Sequence, residues 1–234
     1  MYNCEIEIAN LLVNWRFPQM ASALPAPFTE AFGFLVKGLS PLGLTARSIN
    51  LESQGTNLDD AAIGISLPAH KLNVRITYSG LEAEARDVYT EDVINILQIL
   101  TVVFDTLSKI DSELKKGNGT VRLSLHLKFI DSSVADYIAG RVSAKVNNQN
   151  VTPEAVVFSL DIDEITKHFP TKITIAKSVA VENGLFLEIA YQSGTASEEF
   201  KVDEPIEFFK LIAKHYETVL STLELNLVPQ EKPL

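Results

Sequence analysis

Four histidines, His70, His126, His168 and His215, and one cysteine, Cys4, are the side chains of this 234-residue chain most suited to metal ligation or proton transfer near neutral pH. No two of the histidines stand at HxxxH or HExxH spacing, and Cys4 has no second thiol nearby, so a zinc site is not expected. "DIDE" from Asp161 to Glu164 puts Asp161 and Asp163 on one side of an extended segment, as a magnesium site would need. The further oxygen ligands on a fixed loop are not there, and a solvated acidic edge is the simpler reading. Nucleophile motifs such as GxSxG or a Ser-x-x-Lys set are absent, and "GNGT" at Gly117 is too short for a phosphate loop and follows a helix. No catalytic residue, metal or cofactor is therefore expected. A hydrolase or transferase assembled from distant segments stays open as an alternative, since such sites leave no local motif.

What remains is alternation. In "KLNVRITYS", Leu72, Val74, Ile76 and Tyr78 face one way and Asn73, Arg75 and Thr77 the other; in "GTVRLSLHLKF", Arg122, Ser124, His126 and Lys128 oppose Val121, Leu123, Leu125, Leu127 and Phe129. Together with Ser48, Asn50, Glu52, Glu82 and Glu84, these polar residues form one expected face. Arg75, Arg122, His126 and Lys128 are its basic island, where a partner would dock. A merely solvated antiparallel sheet gives the same alternation. Trp15 is the fifth candidate: with Phe32, Phe104, Phe208 and Phe209 it belongs to the core or, in an alternative function, lines a cavity for a small apolar ligand between sheet and helices.

The elements that must position these residues come in a repeated order. "CEIEIANLLVNWRF" reads as a strand, Phe28 to Leu39 as an amphipathic helix closed by Gly38 and Pro41, and four strands follow between Leu44 and Val88. A long helix then buries Val93, Ile96, Leu97, Leu100, Phe104, Leu107 and Ile110. From Asn118 the order recurs: a strand, the short helix "DSSVADYIAGRV", then "EAVVFSLDID", "KITIAKSVAV", "LFLEIAYQ" and "SEEFKV" as strands. The closing helix carries Ile206, Phe209, Ala213, Tyr216, Leu220 and Leu223 inward. Tyr78 and Tyr191, Val93 and Ile206, and Leu107 and Leu220 are each 113 residues apart. This predicts an α+β fold made of an internally duplicated β-α-β(4)-α unit, residues 1–117 and 118–234, the two sharing one continuous antiparallel sheet and core with helices on one face. The element order resembles the saddle of the TATA-box-binding-protein family and, more distantly, the single-unit helix-grip folds. The resemblance implies a saddle-like sheet; the DNA chemistry is not carried over, because that saddle is basic with phenylalanine wedges whereas this chain is acidic.

Composition bounds the rest. Twenty Lys plus Arg against 30 Asp plus Glu give a net charge of −10, a field that opposes polyanions, so neither nucleic acid nor an anionic membrane is expected as a partner. The most apolar run, Val93 to Phe104, is shorter than the about 20 residues a bilayer requires. One cysteine and an acidic first decapeptide fit a cytoplasmic protein. The leading expectation is a non-enzymatic binding protein acting through the open sheet face or a helix surface. Phe208, Leu211 and Ile94 lie off the main helix stripes, and that apolar excess makes self-association, as a dimer, a further expectation.

Overall fold

The computed structural model describes residues 1–17, 28–53, 61–88, 90–115, 117–141, 144–146, 149–151, 155–159, 171–193 and 205–228. The protein is α+β, with one ten-stranded sheet and four helices. In chain order the elements are β1 (Tyr2–Arg16), α1 (Phe28–Leu39), β2 (Ile49–Ser53), β3 (Ala61–Leu67), β4 (Leu72–Thr77), β5 (Gly80–Ala85) and α2 (Thr90–Ile110). After them come β6 (Asn118–Phe129), α3 (Val134–Arg141), β7 (Ala144–Val146), β8 (Gln149–Val151), β9 (Ala155–Ser159), β10 (Thr171–Lys177), β11 (Gly184–Gln192), α4 (Pro205–Thr222) and β12 (Leu225–Leu227).

The sheet runs β2-β3-β4-β5-β1-β6-β11-β10-β9, antiparallel throughout, while β12 lies parallel to the first residues of β1. At its centre β1 and β6 pair from Cys4↔Phe129 to Arg16↔Asn118, with a register shift between Ile6 and Ile8. That bulge changes which residues face the core. Cys4 and Ile6 point inward before it and Ala9, Leu11, Val13 and Trp15 after it, so Ile8 turns to the opposite face, across from His126.

Alternation elsewhere does what the sequence predicts. Leu72, Val74 and Ile76, and Val121, Leu123, Leu125, Leu127 and Phe129, are all buried. Above them α2 buries Val93, Ile96, Leu97, Leu100, Phe104 and Leu107, each contributing about 1.5–3 kcal/mol of transfer free energy. By length and hydropathy α2 could cross a membrane, yet half of its most apolar window is buried inside the fold. Helix α4 covers the other half of the sheet with Phe208, Phe209, Ile212, Tyr216, Val219 and Leu220.

Three expectations need correction or limits. The strand expected from Leu44 begins only at Ile49, because Ala46–Ser48 form a 3-10 turn closed by the reciprocal Thr45–Ser48 cap; Ser48 is therefore not on the sheet face. The 113-residue offset matches Ile96 with Phe209 and Leu107 with Leu220, all buried, but sets buried Leu97 and Phe104 against exposed Lys210 and Glu217, and it does not hold for strands: Tyr78 follows β4, which is separated from β1 by β5, whereas Tyr191 lies on β11, which pairs directly with β6. The chain between β11 and α4 is also longer than that between β5 and α2. Finally, the TATA-box-binding-protein topology goes no further than one sheet with helices, since β7 and β8 form a hairpin of their own and β12 adds a parallel strand. "SEEFKV", "DIDE" and His168 lie outside the described residues.

Candidate functional site

The face turned away from the helices carries the expected polar rows. Across the centre, register places Asn73, Glu84, Leu12, Arg122, Ala190 and Lys172 in one line and Arg75, Glu82, Asn14, Thr120 and Gln192 in the next. Two shallow hollows indent it. One, of about 360 Å³, lies over β2–β5 beside Glu52, Gly64, Asn73, Arg75 and Glu84. The other, of about 630 Å³, sits where β1 ends and the β4–β5 turn, the start of β6 and the end of β11 meet. Its lining is hydroxyl and amide in character, from Asn14, Thr77, Ser79, Asn118, Thr120 and Gln192, with Arg16 and Glu82 as the charges.

The basic island does not form as one cluster. Arg75 is on β4, three strands from β6, and its Nε donates to Glu52 Oε2 at 3.2 Å while Glu82 stands directly across from it. Arg122, His126 and Lys128 do share β6. A fourth cation, Lys172 on β10, joins them two strands from Arg122. The alternation of "TKITIAK" carries that signal, with Lys172, Thr174 and Ala176 opposite buried Ile173 and Ile175. Arg122, Lys128 and Lys172 are exposed and make no hydrogen bond or ion pair among the described residues.

His126 is set differently. Its Nδ1 lies 2.8 Å from Ser178 Oγ, and its ring is 5.2 Å from that of Phe186. Ser178 Oγ already accepts the backbone N–H groups of Ala180 and Val181 at 3.1 and 3.0 Å, so its own proton goes to Nδ1. The imidazole is thereby held neutral with Nε2 as a donor, and desolvation lowers its pKa in the same sense.

Trp15 is not on this face. It is 1% exposed and packs edge-on to Phe104 at 5.7 Å and tilted against Phe208 and Phe209, filling the space in which a ligand cavity was expected. Its Nε1 has no hydrogen-bond partner among the described residues. Glycines make this packing feasible: a Cβ on Gly119 would come within 2.4 Å of the indole, and one on Gly80 within 2.3 Å of the Trp15 carbonyl oxygen. Phe208, whose place off the helix stripe supported an oligomer surface, is fully buried against Trp15, and Ile94 and Leu211 are partly buried. The apolar excess on the helices is therefore largely core, because α4 is enclosed by the sheet and α2.

Among the described residues no group of three His, Cys, Asp or Glu could hold a metal. Cys4 is buried, its thiol pushed up to about 12 by desolvation, which leaves little thiolate for chemistry. His70 sits in a turn, as expected.

No family model and no curated protein matches the sequence. Among solved structures, it is similar to a rolling circle replication initiator protein from Geobacillus stearothermophilus. The two are 10% identical, with 98% of this chain and 89% of that one covered, at a TM-score of 0.35. A score that low carries no argument about what this chain does. One expectation is corrected: nucleic acid was excluded on net charge alone, and that exclusion is withdrawn. The physical reason lies in the charge map, where a global −10 coexists with unpaired cations on β6 and β10.

Proposed function

We propose that this protein is a non-enzymatic, cytosolic binding module that takes a partner on its open sheet face. The observation that supports this reading is the asymmetry of the sheet. One face is sealed by α1, α2 and α4, while the other presents polar rows and two hollows that no described element covers. Of the titratable groups gathered in the smaller hollow, Glu52 and Glu84 are held in ion pairs with Arg75 and Arg86, and the histidine described on the face is engaged by Ser178. The apolar-ligand alternative loses its cavity to the Trp15 cluster.

Blocking the face tests the proposal. Leu12→Glu together with Ala190→Glu plants bulky charges in the central row, beside Arg122 and Lys172, without touching the core. Both the wild-type chain and the folded double variant would be used to capture partners from cell extract. Loss of the wild-type partner in the variant, with an unchanged circular-dichroism spectrum, is the expected result. An unchanged set of partners, or substrate turnover by the purified chain, would overturn it.

A further inference from the structure

Resting on that reading, we infer that the half of the open face built by β6, β11 and β10 is shaped for an extended polypeptide segment that carries acidic and apolar side chains in turn along one of its two faces. Three observations converge on it.

First, the charges on the two halves of the face are in different states. On β2–β5, Glu52 is paired with Arg75, and Glu84 with Arg86 at 2.7 Å. On β6 and β10, Arg122, Lys128 and Lys172 have no such partner, although Glu188 stands on the intervening strand and Glu5 opposite Lys128. A protein of net charge −10 that leaves its cations unpaired on one surface offers that surface to an anion.

Second, the floor between those cations holds an apolar row beside a polar one of Ser124, Glu188 and Thr174. Ile8, Phe186 and Ala176 lie in a row with His126, Ala190 separates Arg122 from Lys172, and Val157 on β9 is 55% exposed. A partner with carboxylates alone would leave this floor wet. Apolar side chains set between the carboxylates on the same face of the segment would cover it.

Third, the dimensions suit a strand. Arg122 and Lys172 are two strands, about 10 Å, apart, and Lys128 is about 20 Å from Arg122 along β6, the reach of about six extended residues. Alternate side chains of an extended segment point to one side about 7 Å apart, close to the His126–Lys128 separation. A second copy of this chain is the weaker occupant: on its β2–β5 half Glu52 and Glu84 are already paired with Arg75 and Arg86, and among the described residues of that half Glu82 is left to offer.

The probe is a fluorescein-labelled peptide of about twelve residues whose every second position is glutamate and leucine in turn, with serine between, against a control with glutamine for glutamate and an oligothymidylate of similar length. Fluorescence anisotropy should show that the acidic peptide binds, the control does not, and about 0.5 M salt abolishes binding. Arg122→Glu, Lys128→Glu and Lys172→Glu together should weaken it at least about tenfold. The control triple Lys37→Glu, Lys109→Glu and Lys214→Glu, with the same net charge, should change it less than about twofold. Should the first triple not fold, amide shifts in the wild-type protein decide, since peptide should move signals of β6, β10 and β11 and leave those of β3 and β4. The inference is overturned by no binding to the wild type, by equal binding of the control, by tighter binding of oligothymidylate, or by sedimentation showing the face closed by a second copy. Were the blocked double variant to lose its captured partner while the peptide fails to bind, the open face would remain the docking surface and only this choice of occupant would fall.

Discussion

The two halves of the open face solve the same electrostatic problem in opposite ways. On β2–β5 each arginine sits within reach of a carboxylate: Arg75 on Glu52, and Arg86, just past β5, on Glu84. On β6–β10 the cations stand apart from one another and from Glu188, and the one polar contact made by a titratable side chain there is a neutral one, between His126 and Ser178. Exposed ion pairs contribute little to stability, so neither arrangement is explained by folding. The difference is in what each surface can offer to another molecule. A paired face offers hydrogen-bonding groups without much field; an unpaired one keeps its field available.

Between the halves lies their seam, β1 on β6, and the largest expected effect is there. Gly119 pairs with Trp15 across the seam, with no room for a methyl group against the indole. Gly119→Ala should destabilise the fold by about 2 kcal/mol through overpacking, read as a lower urea midpoint at unchanged slope. Trp15 is the sole tryptophan, so its fluorescence reports the same transition and should be that of a buried indole. A variant as stable as the wild type would mean that the seam is looser than its geometry, and that the halves can move independently.

Next in size is Ser178→Ala. The hydroxyl satisfies two backbone N–H groups in the β10–β11 turn and donates to His126, so its loss should cost about 1–2 kcal/mol. The same substitution should raise the His126 pKa, because the neutral imidazole loses its donor. In the wild type that pKa is lowered from the ordinary value of 6.5, chiefly by desolvation. The sign follows from proton counting: the unfolded chain binds the proton more readily, so His126 favours folding above pH 6.5 and the gain is lost as pH falls through its folded-state pKa. Titration of the imidazole by NMR tests both statements, and a wild-type pKa above 6.5 would remove the neutral-histidine picture.

How much of this could be read from residues alone divides along the same seam. Period-two alternation located the inward and outward faces of β4 and β6 because each strand is covered on one side only, which is the condition under which alternation is informative. It failed at Ser48, where a local cap competes with the strand, and it carries no sign of the bulge at Ile8 that reverses the faces of β1. Arg75 and Arg122 looked like neighbours because a face can be read from sequence but strand order cannot. Phe208 looked superfluous on a helix considered alone; only the position of α4 beside Trp15 makes it core. The candidate site was thus legible in its residue types and not in their grouping, and the pairing of Glu52 with Arg75, which separates the two halves chemically, joins residues 23 apart through two hairpins.

The smallest effects sharpen the comparison most. Arg75 and Glu52 are each about two-fifths exposed, so Arg75→Ala should cost about 0.5 kcal/mol, and less in high salt as screening removes what the pair contributed. Arg122→Ala and Lys128→Ala should cost less still, about 0–0.3 kcal/mol, because no intramolecular partner is lost; removing Lys128 withdraws only its weak attraction to Glu5. The salt dependence carries the distinction better than the magnitudes do. If the two halves differ as described, thermal unfolding of Arg75→Ala should converge on that of the wild type as salt rises, while Arg122→Ala and Lys128→Ala should track the wild type at every ionic strength. A salt-sensitive deficit in Arg122→Ala would place an intramolecular carboxylate beside Arg122, and the cationic half would then be as self-satisfied as its neighbour.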